Sequence, residues 1–207
     1  MSDLSAPIHD APPRRQAAAA PAEWGDPLSL GLVSFGLSAL VLATVNAGWI
    51  NATATPAVLS LAFALGFFTE VIAGMVHFRR GETFAGLVFT AYGGFWLSYA
   101  LLVQFFLPQV VKAGGPVSQI VGTFLLAWAI FTTYMLVASL ATTRTITGIF
   151  VLLTATFWLL VWATYAGNTT LAHLSGYVLL ADALLALFLS FASIVNTTFG
   201  RTVVPAP

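Results

Sequence analysis

Between positions 66 and 102 the chain reads GFFTEVIAGMVHFRRGETFAGLVFTAYGGFWLSYALL. Two long apolar runs meet there at a short polar turn, Arg79-Arg80-Gly81-Glu82-Thr83. About 20 apolar residues suffice to cross a bilayer as a helix. The stretch therefore reads as a transmembrane hairpin, and the rest of the chain repeats its pattern. Spans are expected over 28–50, 56–78, 84–106, 119–140, 146–166 and 171–194, the last fraying toward Thr198. Asp26 can cap the first turn and Pro27 fits the first helical position. Pro56 opens the second span. Pro108, Gly114, Gly115 and Pro116 break the connection after the third, and Gly167-Asn168 terminates the fifth.

Composition removes the soluble alternative. Only 7% of the residues are charged and 59% are hydrophobic, whereas soluble domains carry roughly 25% charge. The expected fold class is an all-α membrane protein with six transmembrane helices around a narrow pore. Its parts are a disordered cytoplasmic tail (1–24), a six-helix transmembrane domain (25–198) and a short cytoplasmic C-terminal tail (199–207). All six arginines, Arg14, Arg15, Arg79, Arg80, Arg144 and Arg201, fall on one side if the spans alternate, and Lys112 alone falls on the other. Positive residues mark the cytoplasmic side, so both termini are expected in the cytoplasm.

Several chemistries lack their equipment. The balanced net charge of +0 points to no nucleic-acid partner. There is no cysteine, and the three histidines are scattered, so neither thiol chemistry nor a metal site is expected. The only lysine, Lys112, lies outside the spans, which removes a retinal Schiff base. No glycine-rich phosphate loop precedes a lysine. A single aspartate within a span cannot supply the aspartate pair of an intramembrane protease. The chain reads as a non-enzyme with no catalytic residue and no cofactor.

Two acids stand out. Glu70 lies midway along the second span and Asp182 midway along the sixth. Ionised and unpaired, each would cost several kcal/mol there, so each should be protonated, paired or facing water. A proton-coupling role for Glu70 and Asp182 stands against the plainer reading of a neutral acid hydrogen-bonded between helices. His77 and His173, near span ends, read as interfacial histidines. The small residues Ser34, Ser38, Gly66, Gly74, Gly93 and Gly94 read as helix-packing positions. The hydroxyls of Ser38, Thr69, Thr90, Ser98 and Thr154 could line a path, or bond to their own preceding turn.

Three segments resemble the acetate uptake transporter family, also called GPR1/FUN34/YaaH. Asp26-Pro-Leu-Ser-Leu-Gly-Leu32 is similar to the family's N-P-A-P-L-G-L signature, with Asp26, Pro27, Leu30, Gly31 and Leu32 at the matching positions. The basic turn followed by Phe89-Thr-Ala-Tyr-Gly-Gly-Phe-Trp-Leu97 resembles its F-x-S-Y-G-x-F-W block. Ala166-Gly-Asn168, His173, Gly176 and Phe199-Gly-Arg-Thr-Val203 resemble the end of its fold. The resemblance implies six helices per protomer, a homo-hexamer in a bacterial-type cytoplasmic membrane, and a substrate path through each protomer. It implies uptake of acetate and succinate, described as proton-coupled or as channel-like. It also places a narrow apolar gate at Phe35, Tyr92 and Leu153, and ties Ala186 to substrate size. Departures are Asp26 for the signature asparagine, Ser29 for its second proline, and an acid at position 70.

The function expected is transport of acetate and other small carboxylates. Ser38, Thr90, Thr154 and Ala186 are candidate substrate contacts. A passive anion or small-solute channel is the alternative within transport, and a non-transporting membrane sensor or scaffold is the alternative outside it.

Overall fold

The computed structural model describes residues 24–205. The expected N-terminal tail thus lies outside the described residues, except for Trp24. Among the described residues, six helices are long and apolar enough to cross a membrane: α1 (Leu28–Asn46), α2 (Thr55–Arg79), α3 (Thr83–Lys112), α4 (Val117–Ser139), α5 (Arg144–Ala166) and α6 (Thr169–Phe199). No strand occurs among the described residues.

Helix ends depart from the expected boundaries for identifiable reasons. Pro27 is the residue before α1 rather than its first, and the Asp26 carboxylate accepts from the Leu28 amide at 3.0 Å. α1 stops at Asn46, short of position 50, because Gly48 is left-handed (φ 76°) and the His173 ring fills the space a Cβ there would need. Only glycine tolerates both conditions. Pro108 does not end α3. A π-helical segment, Leu102–Phe106, precedes it and places the proline in the opening turn of the α-helical segment Leu107–Lys112, where a missing amide donor is tolerated. Arg144 opens α5 instead of lying in a loop, with Thr143 capping the helix through a bond from the Ile146 amide. Gly167, left-handed at φ 61°, ends α5 as expected.

α6 does not fray near Thr198. It continues to Phe199, and left-handed Gly200 stops it. Asn196 then ties the following chain back onto the helix. Its Oδ1 accepts from the Val203 and Val204 amides at 2.7 and 2.9 Å, and its Nδ2 donates to the Val204 carbonyl at 2.8 Å. These bonds offset the entropy that would otherwise loosen a helix end.

The helices form a ring in chain order, with α6 closing onto α1. Helix association in a membrane relies on close van der Waals packing, and the glycines set how close each neighbour comes. On α6, Gly176 lies against the backbone of Asn46 and Ala47 at the end of α1, so any Cβ there would collide. On α2, Gly66 receives the Trp96 indole, and on α3, Gly93 receives the Val71 side chain. The α3–α4 contact is wider and is filled by rings: Phe95 meets Phe124 at 6.0 Å and Trp128 at 5.2 Å between centroids. Aromatic pairs of this kind bridge a gap that glycine contacts do not leave open.

The outer face is apolar, with Phe68, Met75, Val137, Leu140 and Trp162 exposed. Such a surface suits lipid and not water. Because the helices alternate in direction, Arg79, Arg80, Arg144 and Arg201 lie at one end of the bundle and Lys112 at the other.

Candidate functional site

The residues of the expected gate meet inside the ring. Phe35 comes from α1, Tyr92 from α3 and Leu153 from α5, and all three are buried. They border two cavities at once. One, of about 60 Å³, extends toward the starts of α1, α3 and α5, where Leu28, Phe84 and Ile146 lie. The other, of about 30 Å³, extends the opposite way to Leu42, Leu160 and Leu179. The three side chains thus form a shared wall between spaces that lie along the bundle. Each space can hold at least a water molecule by volume.

Tyr92 is the most constrained part of that wall. It is 2% exposed, and its ring packs against Phe131 at 5.4 Å, Trp128 at 6.1 Å, Phe150 at 6.4 Å and Phe35 at 6.5 Å. Its hydroxyl donates to Thr132 Oγ1 at 2.8 Å, and Thr132 donates onward to the Trp128 carbonyl at 2.8 Å. Sequence reasoning missed Thr132. Its signal is faint, because one hydroxyl in an apolar helix most often bonds to its own preceding turn, as Thr132 also does.

Glu70 lines the larger cavity and is 1% exposed. The helix leads up to it through a π-helical segment, Ala62–Thr69, a widened form of turn that often marks functional positions. Oε2 has no hydrogen-bond partner among the described residues. The Trp96 indole lies beside the carboxyl, yet its Nε1 falls outside hydrogen-bond geometry. Asp182 is fully buried, and neither carboxyl oxygen has a partner among the described residues. The two acids do not pair with each other. Each lies within Coulombic reach of the Tyr92 hydroxyl.

The other expected contacts are placed elsewhere. Ser38 donates to the Leu61 carbonyl at 3.3 Å, joining α1 to α2, and Thr154 donates to the Thr132 carbonyl at 3.4 Å, joining α5 to α4. Thr90 sits against Gly74, and Ala186 is buried. None of these four borders either cavity. Thr156, not singled out in the sequence, does border the smaller one. In the signature, Gly31 makes room for the Phe89 ring and Leu32 faces the larger cavity.

The turn between α2 and α3 holds a polar cluster at the same end as the larger cavity. His77 lies in the last turn of α2, and at 2% exposed it is enclosed by protein. Its ring stacks on Phe89 at 5.3 Å, and its Nδ1 meets Glu82 Oε2 at 2.5 Å. Arg80 donates to Glu82 Oε1 at 2.8 Å and to the Trp24 carbonyl at 2.6 Å. The His77 hydrogen bond, helped by Arg80, holds the Glu82 carboxyl below its ordinary range. Among the described residues, no group of three or more metal-ligating side chains converges.

Known proteins resemble this chain in sequence and in fold. The succinate-acetate/proton symporter SatP of Escherichia coli is 31% identical over 180 residues, covering 87% of this chain and 94% of that protein. Ammonia transport outward protein 3 of Saccharomyces cerevisiae is 36% identical over 162 residues, covering 76% of this chain and 58% of the yeast protein. The solved structure of the bacterial acetate channel SatP matches with a TM-score of 0.81 at 30% identity, covering 89% of this chain and all of that one. A model of the GPR1/FUN34/yaaH family matches residues 10–207. By sequence and by fold, this chain belongs to the GPR1/FUN34/yaaH family of membrane proteins.

Proposed function

We propose that the protein moves acetate, and with it other small carboxylates such as succinate, across a bacterial-type cytoplasmic membrane through a pore in each protomer of a homo-hexamer. The observation that carries this reading is the wall of Phe35, Tyr92 and Leu153 between two cavities. A path closed at one point by three apolar side chains suits a gate. A hydrated anion would lose its water against such a wall at high cost, and a proton travelling with it lowers that cost. Glu70, which lines the larger cavity, and Asp182, buried on α6, are the groups proposed to handle that proton; Glu70 Oε2 and both Asp182 oxygens have no hydrogen-bond partner among the described residues. The arginine-bearing end of the bundle, where α1 begins and α6 ends, is assigned to the cytoplasm by the positive-inside rule. The chain performs no covalent chemistry in this reading.

A passive channel is the second reading. The relative with a solved structure is described as an acetate channel, whereas the Escherichia coli relative is described as a proton symporter. Labelled acetate uptake into proteoliposomes separates them. Uptake that concentrates acetate under an imposed pH gradient, and collapses with a protonophore, supports the symporter. Flux that only follows the acetate gradient supports the channel, and absence of flux removes both.

A further inference from the structure

We propose that Glu70 is the group that binds the substrate's own carboxyl in the larger cavity, in a carboxyl–carboxyl pair, and that this site takes short monocarboxylic acids in preference to dicarboxylates. The inference rests on the transport reading but concerns binding rather than coupling.

The cavity walls leave one candidate. Among the thirteen lining residues, Glu70 and Tyr92 alone carry polar side-chain groups. The Tyr92 hydroxyl is committed to Thr132. Glu70 Oε2 has no hydrogen-bond partner among the described residues, although the residue is 1% exposed. A buried polar atom left unpaired is costly, and a ligand that completes its hydrogen bonds recovers that cost. The π-helical segment ends at Glu70, and the Trp96 indole, seated in the notch at Gly66, lies beside the carboxyl. Packing of the Trp96 indole at Gly66 thus helps to place the side chain.

A carboxyl group is the ligand chemistry that matches. With one proton between them, the two carboxyls share an O–H···O bond and the pair carries one negative charge. With two protons, the pair makes two such bonds and is neutral. No bond other than these hydrogen bonds forms or breaks. The remaining wall is alkyl and aromatic, from Leu32, Phe84 and Phe150 among others, and it accepts a methyl or ethyl group. The second carboxyl of a dicarboxylate would be pressed onto that wall without a donor. The titratable groups around the pair are Tyr92 on α3 and Asp182 on α6, with His77 farther along α2. α1 and α5 present only apolar side chains to this cavity.

The test uses the full chain in proteoliposomes, with labelled acetate influx competed by propionate or succinate. Propionate should compete about as well as acetate, and succinate about tenfold more weakly, the factor expected from one unsatisfied polar group. Glu70→Gln should raise the KM for acetate about tenfold, for the same reason, and remove the pH dependence of KM. An infrared difference spectrum on adding acetate provides a second readout. A protonated-carboxyl carbonyl band should shift in the natural protein, and the shift should be absent in Glu70→Gln and in a Glu70→Leu control. Equal competition by succinate and propionate, or a Glu70→Gln variant with unchanged KM at every pH, would overturn the proposal. Failure of the transport reading looks different: no acetate flux in any variant, with the infrared band still reporting on binding.

Discussion

Tyr92 and Thr132, 40 positions apart, are joined by a 2.8 Å hydrogen bond that spans the widest contact in the helix ring. Elsewhere glycines let neighbouring backbones approach. Between α3 and α4 there are rings, and this bond fixes how they sit. Because Tyr92 also borders both cavities, the same bond holds part of the wall between them.

Replacing Tyr92 by Phe keeps the ring and removes the bond. Thr132 retains its bond to the Trp128 carbonyl, so no donor is stranded. The expected loss is small, about 0.6 kcal/mol as for interhelical hydrogen bonds in membranes. Acetate flux should stay within about threefold, the factor to which that energy corresponds. Tyr92→Ala removes the wall itself and should let larger acids through. Uptake of acetate and butyrate by the two variants, with thermal melting in detergent, checks both expectations. A Tyr92→Phe variant as leaky as Tyr92→Ala would mean that the bond, not the ring, closes the path.

Much of this fold was legible in the sequence. The six spans follow from length and hydropathy, and their order of charges from the arginines. What the sequence could not display was register within helices. A π segment looks like any apolar run, so Pro108 read as a break although Leu102–Phe106 carries the helix past it. Burial at a polar turn was equally hidden: His77 lies beside two arginines in sequence, yet Glu82 and Phe89 enclose it. The site was legible only in part. Phe35, Tyr92 and Leu153 came from resemblance to a family, and their convergence on two cavities needed coordinates. Thr132 and Thr156 resemble every other hydroxyl in an apolar helix until their partners are known.

Two glycines separate packing from helix propensity. A Cβ on Gly176 would strike the α1 backbone, which cannot yield as a flexible side chain can, whereas nothing lies within 4 Å of one on Gly94. Gly176→Ala should destabilise the bundle by about 1–3 kcal/mol, the usual cost of overpacking. Gly94→Ala should leave stability unchanged or raise it by up to ~1 kcal/mol through helix propensity. Melting temperatures in one detergent decide the matter. Equal effects at both positions would contradict the close α1–α6 approach.

The cluster at the α2–α3 turn predicts an acid-labile end. Glu82 is held below its ordinary carboxyl value of 4.5 chiefly by the His77 hydrogen bond, with Arg80 helping and partial burial opposing. A carboxyl whose folded pKa is depressed adds stability above its unfolded pKa and loses it as pH falls through the folded value. The turn should therefore weaken progressively below pH 4.5. Glu82→Gln should lower stability at neutral pH and flatten the fall in acid. Melting temperature against pH for the two proteins measures this, and parallel curves would remove Glu82 as the cause.

Phe35 offers the sharpest separation of gating from packing. It borders both cavities and its ring centroid lies 6.5 Å from that of Tyr92, but it makes no hydrogen bond that its loss could strand. Phe35→Leu keeps the surface apolar and removes ring volume. As a large-to-small change at a buried position it should cost about 1–2 kcal/mol, below the 3–5 kcal/mol of Phe→Ala. If the side chain narrows the path, propionate and butyrate uptake should rise relative to acetate even as the melting temperature falls. Activity and stability would then move in opposite directions, which loss of folded protein alone cannot produce. Uptake of all three acids reduced by one common factor, in step with the fraction folded, would leave Phe35 as a packing residue and shift the gate to Tyr92 and Leu153.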